Sequence, residues 1–323
     1  MKLRVGLIGL GNHWEARHRP ALRTLSDRFE VCAVCDQIAL RAEQAAREWN
    51  AQACDGFRAL AQRPDIDAVL MLAPQWYGYL PILAACDAGK AIYCVNSLQL
   101  DPDQAKLVKH RVDESGVAFM TEFPRRHAPA TLRLKELIAT RLGKPRLLFC
   151  HRRSSIEPAG GTRRPTRNCP TMQREMIEQV DWCRYVAGME PSSVMGIRHS
   201  LTGQPDGDDY QMMSLDFSPP GQVGAGPVAQ ISCGRYFPSS WPEAVSFRPP
   251  AALQVCCERG MAFIDLPAGL TWFDEAGRHL ESLDSERPVG EHLLMQFYRG
   301  ATSLLRKVND LEDGLPACSP ARS

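Results

Sequence analysis

Up to residue 124 the chain alternates between short, mainly apolar runs and longer amphipathic runs. The apolar runs are "LRVGLIGLG" (residues 3–11), "FEVCAVCD" (29–36), "DAVLMLAP" (67–74), "AIYCV" (91–95) and "VAFMTEF" (117–123). Between them lie "WEARHRPALRTLS" (14–26), "IALRAEQAAREWN" (38–50), "YLPILAACDAG" (79–89) and "DPDQAKLVKHRVDESG" (101–116), all with helical spacing. Strands without polar alternation are buried on both faces, and with helices between them they predict a parallel sheet. Crossovers of this kind are right-handed, so the sheet is expected to be doubly wound.

Beyond residue 124 the texture changes. Helical runs at 129–143 and 171–188 flank a strand, "PRLLFCHRR" (145–153). A series of strand candidates follows at 192–201, 209–217, 227–237, 252–260, 261–267 and 270–277, separated by turn residues, as in a mostly antiparallel sheet. A last helix is expected over 291–310, followed by a polar tail. The pattern therefore predicts an α/β, doubly wound domain over residues 1–124. An α+β domain with an open, mostly antiparallel sheet is predicted over 125–323.

Charge narrows the partners. With 38 basic and 37 acidic residues in 323, bulk electrostatics favour neither nucleic acid nor a membrane surface. No apolar run approaches the roughly 20 residues that span a bilayer. The chain enters a strand at once, so no signal peptide is expected. The twelve cysteines are scattered, several within strand-like runs (Cys32, Cys94, Cys256, Cys257), which fits reduced thiols in a cytoplasmic protein. "CAVC" (32–35) has redox-motif spacing, but residues three apart in a regular strand point to opposite faces. No His/Cys cluster has metal-site spacing, so no metal is expected.

The chemistry begins at "GLGNHW" (9–14), after a strand and at the start of a helix. Gly9 permits a tight turn, Gly11 lets a pyrophosphate approach the backbone, and the helix N-terminus offers free N–H groups. Trp14 stands where a third glycine is usual, which should displace the helix or shift the turn by one residue. Asp36 ends the second strand, where an acid hydrogen-bonds a ribose 2′-hydroxyl and repels a 2′-phosphate. The expected cofactor is NAD, with NADP less favoured.

With these features the chain resembles the Gfo/Idh/MocA oxidoreductase family. The resemblance rests on "VGLIGLG" with "HRPAL", "DIDAVLMLAP" with "AACDAGKAIYC", "EFPRRHAPATLRLKELI" with "LGKP", "DWCRYVAG" and "ERGMAFIDLPAGLTWFDEAGR". It implies a Rossmann domain that holds NAD or NADP through Gly9, Leu10, Gly11, Asn12, His13, Trp14 and Asp36. The "APQ" turn (Ala73, Pro74, Gln75) and Asn96 complete that set. It also implies oxidation or reduction of a carbinol carbon on a sugar, cyclitol or related small molecule, and a homo-oligomer formed through the second sheet. The family's Glu-Lys-Pro motif falls on Val95, Asn96 and Ser97, and its Asp, Gly and His on the later helix fall on Arg174, Met176 and Glu178. Only Asp181 matches, so the scaffold is kept while the lysine, aspartate and histidine are replaced.

Three functions therefore stay open: an active NAD-dependent oxidoreductase, a family member that binds a dinucleotide or metabolite as a sensor or subunit without turnover, and an enzyme of another class on the same scaffold, such as a glycosidase or lyase that uses NAD transiently. In an active enzyme, Glu178 would be the general base and Asn96 would position a hydroxyl, since an amide cannot carry a proton at neutral pH. Arg174, four residues before Glu178, is expected to pair with it and blunt that role. Arg125 and Arg126 of "FPRR", with Arg174 and Asp181, are the candidate substrate ligands. The segment 151–174 adds Arg152, Arg153, Arg163, Arg164 and Arg167 against one acid, which suits an anionic ligand.

Overall fold

The computed structural model describes residues 2–11, 13–95, 100–155, 171–200, 209–222, 224–237, 240–247 and 250–303. The chain divides into two compact units. One comprises Met1–Pro124 with the segment that starts at Arg287, and the other comprises Arg125–Glu286.

In chain order the first unit contains β1 (Leu3–Ile8), a π-helical turn (Trp14–His18), α1 (Arg19–Thr24), β2 (Phe29–Cys35), α2 (Ala39–Trp49) and β3 (Gln52–Ala53). Then come α3 (Phe57–Ala61), β4 (Ala68–Met71), α4 (Pro74–Tyr77), α5 (Leu80–Asp87), β5 (Ala91–Val95), α6 (Pro102–Ser115) and β6 (Phe119–Glu122). The strands form one parallel sheet in the order β3-β2-β1-β4-β5-β6. The chain leaves β1 on one side for β2 and crosses over for β4, so the strand order reverses at β1. That reversal creates a crevice at the carboxyl edge.

Two apolar layers cover this sheet. Leu7, Leu70, Tyr93 and Met120 face one way, and Ile8, Val69, Ile92 and Phe119 face the other. This alternation on strands with no polar face is what the continuous apolar runs require. The CAVC segment departs from regular alternation. The β1–β2 register slips by one residue between Val5 and Gly6, so Cys32 is bulged, and both Cys32 and Cys35 pack on the second layer. Burial raises the pKa of both thiols.

The second unit contains a 3₁₀ turn (Pro124–His127, entered from the first unit), α7 (Pro129–Leu137) with a π-helical turn (Ile138–Leu142), β7 (Pro145–Ser155) and α8 (Thr171–Ala187). Next are β8 (Ser193–His199), β9 (Tyr210–Asp216), β10 (Val228–Phe237), α9 (Pro242–Ser246), β11 (Leu253–Cys257), β12 (Met261–Asp265), β13 (Gly269–Asp274) and β14 (Gly277–Ser282). Its eight strands run β14-β13-β12-β11-β7-β10-β9-β8, and every pairing is antiparallel except β7–β10. Leu148, Cys150, Ala229, Ile231, Val255 and Ile264 are buried on one face. On the opposite face Leu147, Met195, Ile197, Phe273 and Leu280 are exposed.

One boundary differs from the sequence-based expectation. The last helix, α10 (Val289–Thr302), belongs to the first unit rather than to a domain running 125–323. Leu293, Leu294 and Phe297 enter the layer formed by Leu22, Phe29 and Tyr93. Phe297 meets Tyr93 edge-on at 5.5 Å. Among the described residues no helix is long and apolar enough to cross a membrane. The tail beyond 303 lies outside the described residues.

Candidate functional site

The glycine turn sits at the strand-order reversal. Gly9 has φ +73°, and a Cβ there would lie 2.6 Å from the Ala73 Cβ. A Cβ on Gly11 would lie 2.2 Å from the Leu72 carbonyl oxygen. Both positions exclude a side chain because the exit of β4 presses against the turn. The backbone is therefore bare at the carboxyl edge, where a phosphate can approach N–H groups.

Asp36 fastens the turn. Leu10 N–H donates to its Oδ2 at 2.7 Å and Ile38 N–H donates to its Oδ1 at 2.9 Å. One carboxylate so joins the exits of β1 and β2, and each oxygen keeps a lone pair for a ribose hydroxyl. Beside it, Gln37 Nε2 donates to the Trp76 carbonyl at 3.3 Å. The Tyr77 hydroxyl lies 3.9 Å from Cys35 Sγ, and burial raises the Tyr77 pKa. Gly9, Leu10, Gly11, Asp36 and Ala73 are thus brought together, with Pro74 and Gln75 following on α4. Asn12 and Asn96 lie outside the described residues.

Trp14 departs from its expected role. Its side chain is 5% exposed and packs on Trp49, with ring centroids 6.3 Å apart. Only its backbone remains at the turn. The bulk is absorbed by the π-helical turn, in which His18 N–H reaches back five residues to the His13 carbonyl at 3.2 Å. Such a turn spans one residue more per hydrogen bond than an α-helical one.

A buried cluster that the sequence did not announce lies behind this turn. Glu122, the last residue of β6, is fully buried and is the register partner of Val95. Its carboxylate accepts from Arg17 Nη1, from His18 Nε2 at 2.8 Å and from the Tyr93 hydroxyl at 2.7 Å. Burial alone would raise its pKa, but attraction and hydrogen bonds from His18, Arg17 and Tyr93 outweigh burial and hold it at about 2. Where the resemblance expects a glutamate, at position 95, this chain has valine. A carboxylate stands instead on the neighbouring strand. A single acid closing an otherwise apolar strand, as in "VAFMTEF", is the sequence signal that could have revealed it.

In the second unit, the stripe Glu175, Glu178, Asp181, Trp182 and Tyr185 on α8 meets the two arginines of the 3₁₀ turn. Arg125 Nη2 donates to Glu175 at 2.7 Å, its Nε lies 3.3 Å from Glu178 Oε2, and its guanidinium covers the Trp182 ring at 5.5 Å. Arg126 Nε donates to both oxygens of Asp181, at 3.1 and 2.9 Å, and its Nη2 donates to Oδ1. Its guanidinium lies over Tyr185 at 5.6 Å. The expected i,i+4 pair is present as well, with Arg174 Nε 3.3 Å from Glu178 Oε1.

Three of the expected substrate ligands, Arg125, Arg126 and Asp181, therefore take part in ion pairs that join α8 to the turn before α7. Glu178, the expected general base, lies between Arg125 and Arg174 with a guanidinium beside each oxygen. The cause is local. Three acids at helical spacing face "RR" on an adjacent element, and buried charges demand partners. The arginine-rich stretch 156–170 lies outside the described residues.

These features define a class: an α/β unit with a dinucleotide-type turn, joined to an α+β unit with an open sheet. Residues 3–123 match the family model described as "Oxidoreductase family, NAD-binding Rossmann fold". The inositol 2-dehydrogenase of Mycolicibacterium smegmatis is 30% identical over 228 residues, 68% of this chain and 63% of that protein. The scyllo-inositol 2-dehydrogenase (NAD(+)) of Bacillus subtilis is 31% identical over 147 residues, 45% of this chain and 42% of that protein. The match therefore spans less than two thirds of either relative's length. A solved NAD binding oxidoreductase from Klebsiella pneumoniae shares the fold at TM-score 0.80 and 20% identity, covering 98% of this chain and 94% of its own. The aldose-aldose oxidoreductase of Caulobacter crescentus does so at TM-score 0.80 and 14% identity, covering 98% and 95%. The chain belongs to the Gfo/Idh/MocA oxidoreductase family.

Proposed function

We propose that the protein is a NAD-dependent oxidoreductase acting on a hydroxyl or keto carbon of a cyclitol or sugar. The observation that carries this is the Asp36 carboxylate bonded to Leu10 N–H at the strand-order reversal, 2.7 Å apart. The glycine turn and the ribose-binding acid are thereby fixed in one piece. A bound nicotinamide would supply the hydride donor or acceptor. The chain's own part is to present bare backbone N–H groups to the phosphates, to bind the ribose through Asp36 and to disfavour a 2′-phosphate by its charge. The relatives that carry inositol dehydrogenase names support the cyclitol class.

A second reading has its own support. Glu178 and Asp181 both face arginines, and Asn96 stands where the resemblance expects lysine. This favours a dinucleotide-binding member without turnover. Substrate assays with inositols and their keto forms in the presence of NAD or NADH separate the two. Turnover that survives Glu178→Gln supports the counter-ion role of Glu178. Loss of turnover with retained NADH binding restores it as the base.

The open face of the second sheet, with Met195 at 70% and Leu280 at 67% exposure, supports a homo-oligomer through that face. The ten described cysteines are all free, which supports a reducing, cytoplasmic setting.

A further inference from the structure

The glycine turn is tied by Asp36, but the π-helical turn that follows it has no such tie on its own side. The π-helical turn Trp14–His18 has no side-chain cap, and His13, which precedes it, has φ −95° and ψ 5°. Two adjacent residues of this turn, Arg17 and His18, reach a single carboxylate at the end of β6, that of Glu122, in the layer that also holds Tyr93 and Met120. The third donor, Tyr93, belongs to β5 and not to the turn. Helix α10 closes over the same point, since a Cβ on Gly290 would come within 2.8 Å of the Arg17 carbonyl oxygen. His18 Nδ1 is buried without a hydrogen-bond partner, so its Nε2 bond to Glu122 is the polar link this side chain has.

We propose that Glu122 is a positioning residue of the dinucleotide site, holding the π-helical turn through Arg17 and His18 so that the glycine turn before it, Gly9–Gly11, stays presented to the phosphates. This rests on the reading that the glycine turn binds a dinucleotide. Glu122 touches neither cofactor nor substrate and acts through the turn.

Charge and position make opposite demands, which allows a test. Neutralising Glu122 removes the counter-charge of Arg17 and makes the region more positive. If Glu122 acted only through its field, an anionic dinucleotide would bind more tightly to the neutral variant. If it acts by position, binding weakens although the charge has become more favourable.

The test is a titration of NADH, followed by nicotinamide fluorescence, against wild type, Glu122→Gln, His18→Asn and Tyr93→Phe, each confirmed as folded by circular dichroism. The expected result is weaker NADH binding by about ten-fold for Glu122→Gln and His18→Asn, the worth of one charge-assisted hydrogen bond. Tyr93→Phe, which removes a donor outside the turn, is expected to stay within about two-fold of wild type while losing stability. Should Glu122→Gln fail to fold, Arg17→Met takes its place, because Arg17 is partly exposed. Unchanged or tighter NADH binding by the folded turn variants would overturn the proposal. A Tyr93→Phe loss equal to theirs would reduce it to general stability. Absence of NADH binding by wild type instead removes the reading on which the proposal rests.

Discussion

Leu10 N–H donates to the Asp36 carboxylate at 2.7 Å, so the exit of β1 is tied to the exit of β2. The acid of a dinucleotide site is often considered only for what it does to ribose. Here it is also part of the turn, and its removal should act in two ways. Asp36→Asn is expected to weaken NADH binding by about ten-fold and to narrow the difference between NADH and NADPH, because the repelling charge is gone. Parallel fluorescence titrations with the two nucleotides measure both effects.

Gly11 is required by the fold before any ligand arrives. An alanine Cβ would lie 2.2 Å from the Leu72 carbonyl oxygen, and backbone cannot move aside cheaply. Gly11→Ala should destabilise the first unit by about 2 kcal/mol or more. Urea unfolding without nucleotide checks this. A loss confined to nucleotide affinity would show that the turn has room to relax.

Arg126 and Asp181 are a buried pair, with side-chain exposures of 16% and 2%. Removing the cation strands a carboxylate, so Arg126→Met should cost about 3–5 kcal/mol in the stability of the second unit. Lys106 and Asp103 form an exposed pair on α6, 79% and 95% accessible, and Lys106→Ala should change stability little. Thermal or urea unfolding of the two variants side by side is the measurement.

Glu122 makes stability depend on acid in a definite direction. Its pKa in the folded protein, about 2, lies below the ordinary 4.5. Its contribution is therefore full above the ordinary value and is lost as pH falls toward about 2. Unfolding free energies of wild type and Glu122→Gln should differ by a few kcal/mol at about pH 7, and the gap should shrink at about pH 3. A gap that stays constant across this range would mean that the carboxylate's ionisation is not what stabilises the fold.

How much of this the sequence disclosed depends on how local each cause was. The strands β1, β2, β4, β5 and β6 were legible because each is a continuous apolar run bounded by polar residues. Strand β3 is two residues long and α3 five, too short to produce a period, and both were missed. Strand β14 was missed because "GRHLES" is polar, and His279 is held by stacking on Trp272 at 3.7 Å. The docking of α10 on the first unit follows from contacts with residues hundreds of positions earlier, which no local pattern encodes. At the site, Gly9, Gly11 and Asp36 were visible because strand, turn and acid follow one another in sequence. The Arg125–Glu178 and Arg126–Asp181 pairings join residues more than fifty positions apart, so the same side chains looked available for substrate. Glu122 was overlooked because its partners come from two other elements.

The glycine turn and Asp36 together predict a working dinucleotide site in this chain. Titrating the purified protein with NADH and following nicotinamide fluorescence tests it most directly. Saturable binding of NADH, tighter than that of NADPH, is the predicted result. No binding of either nucleotide at millimolar concentration would contradict it.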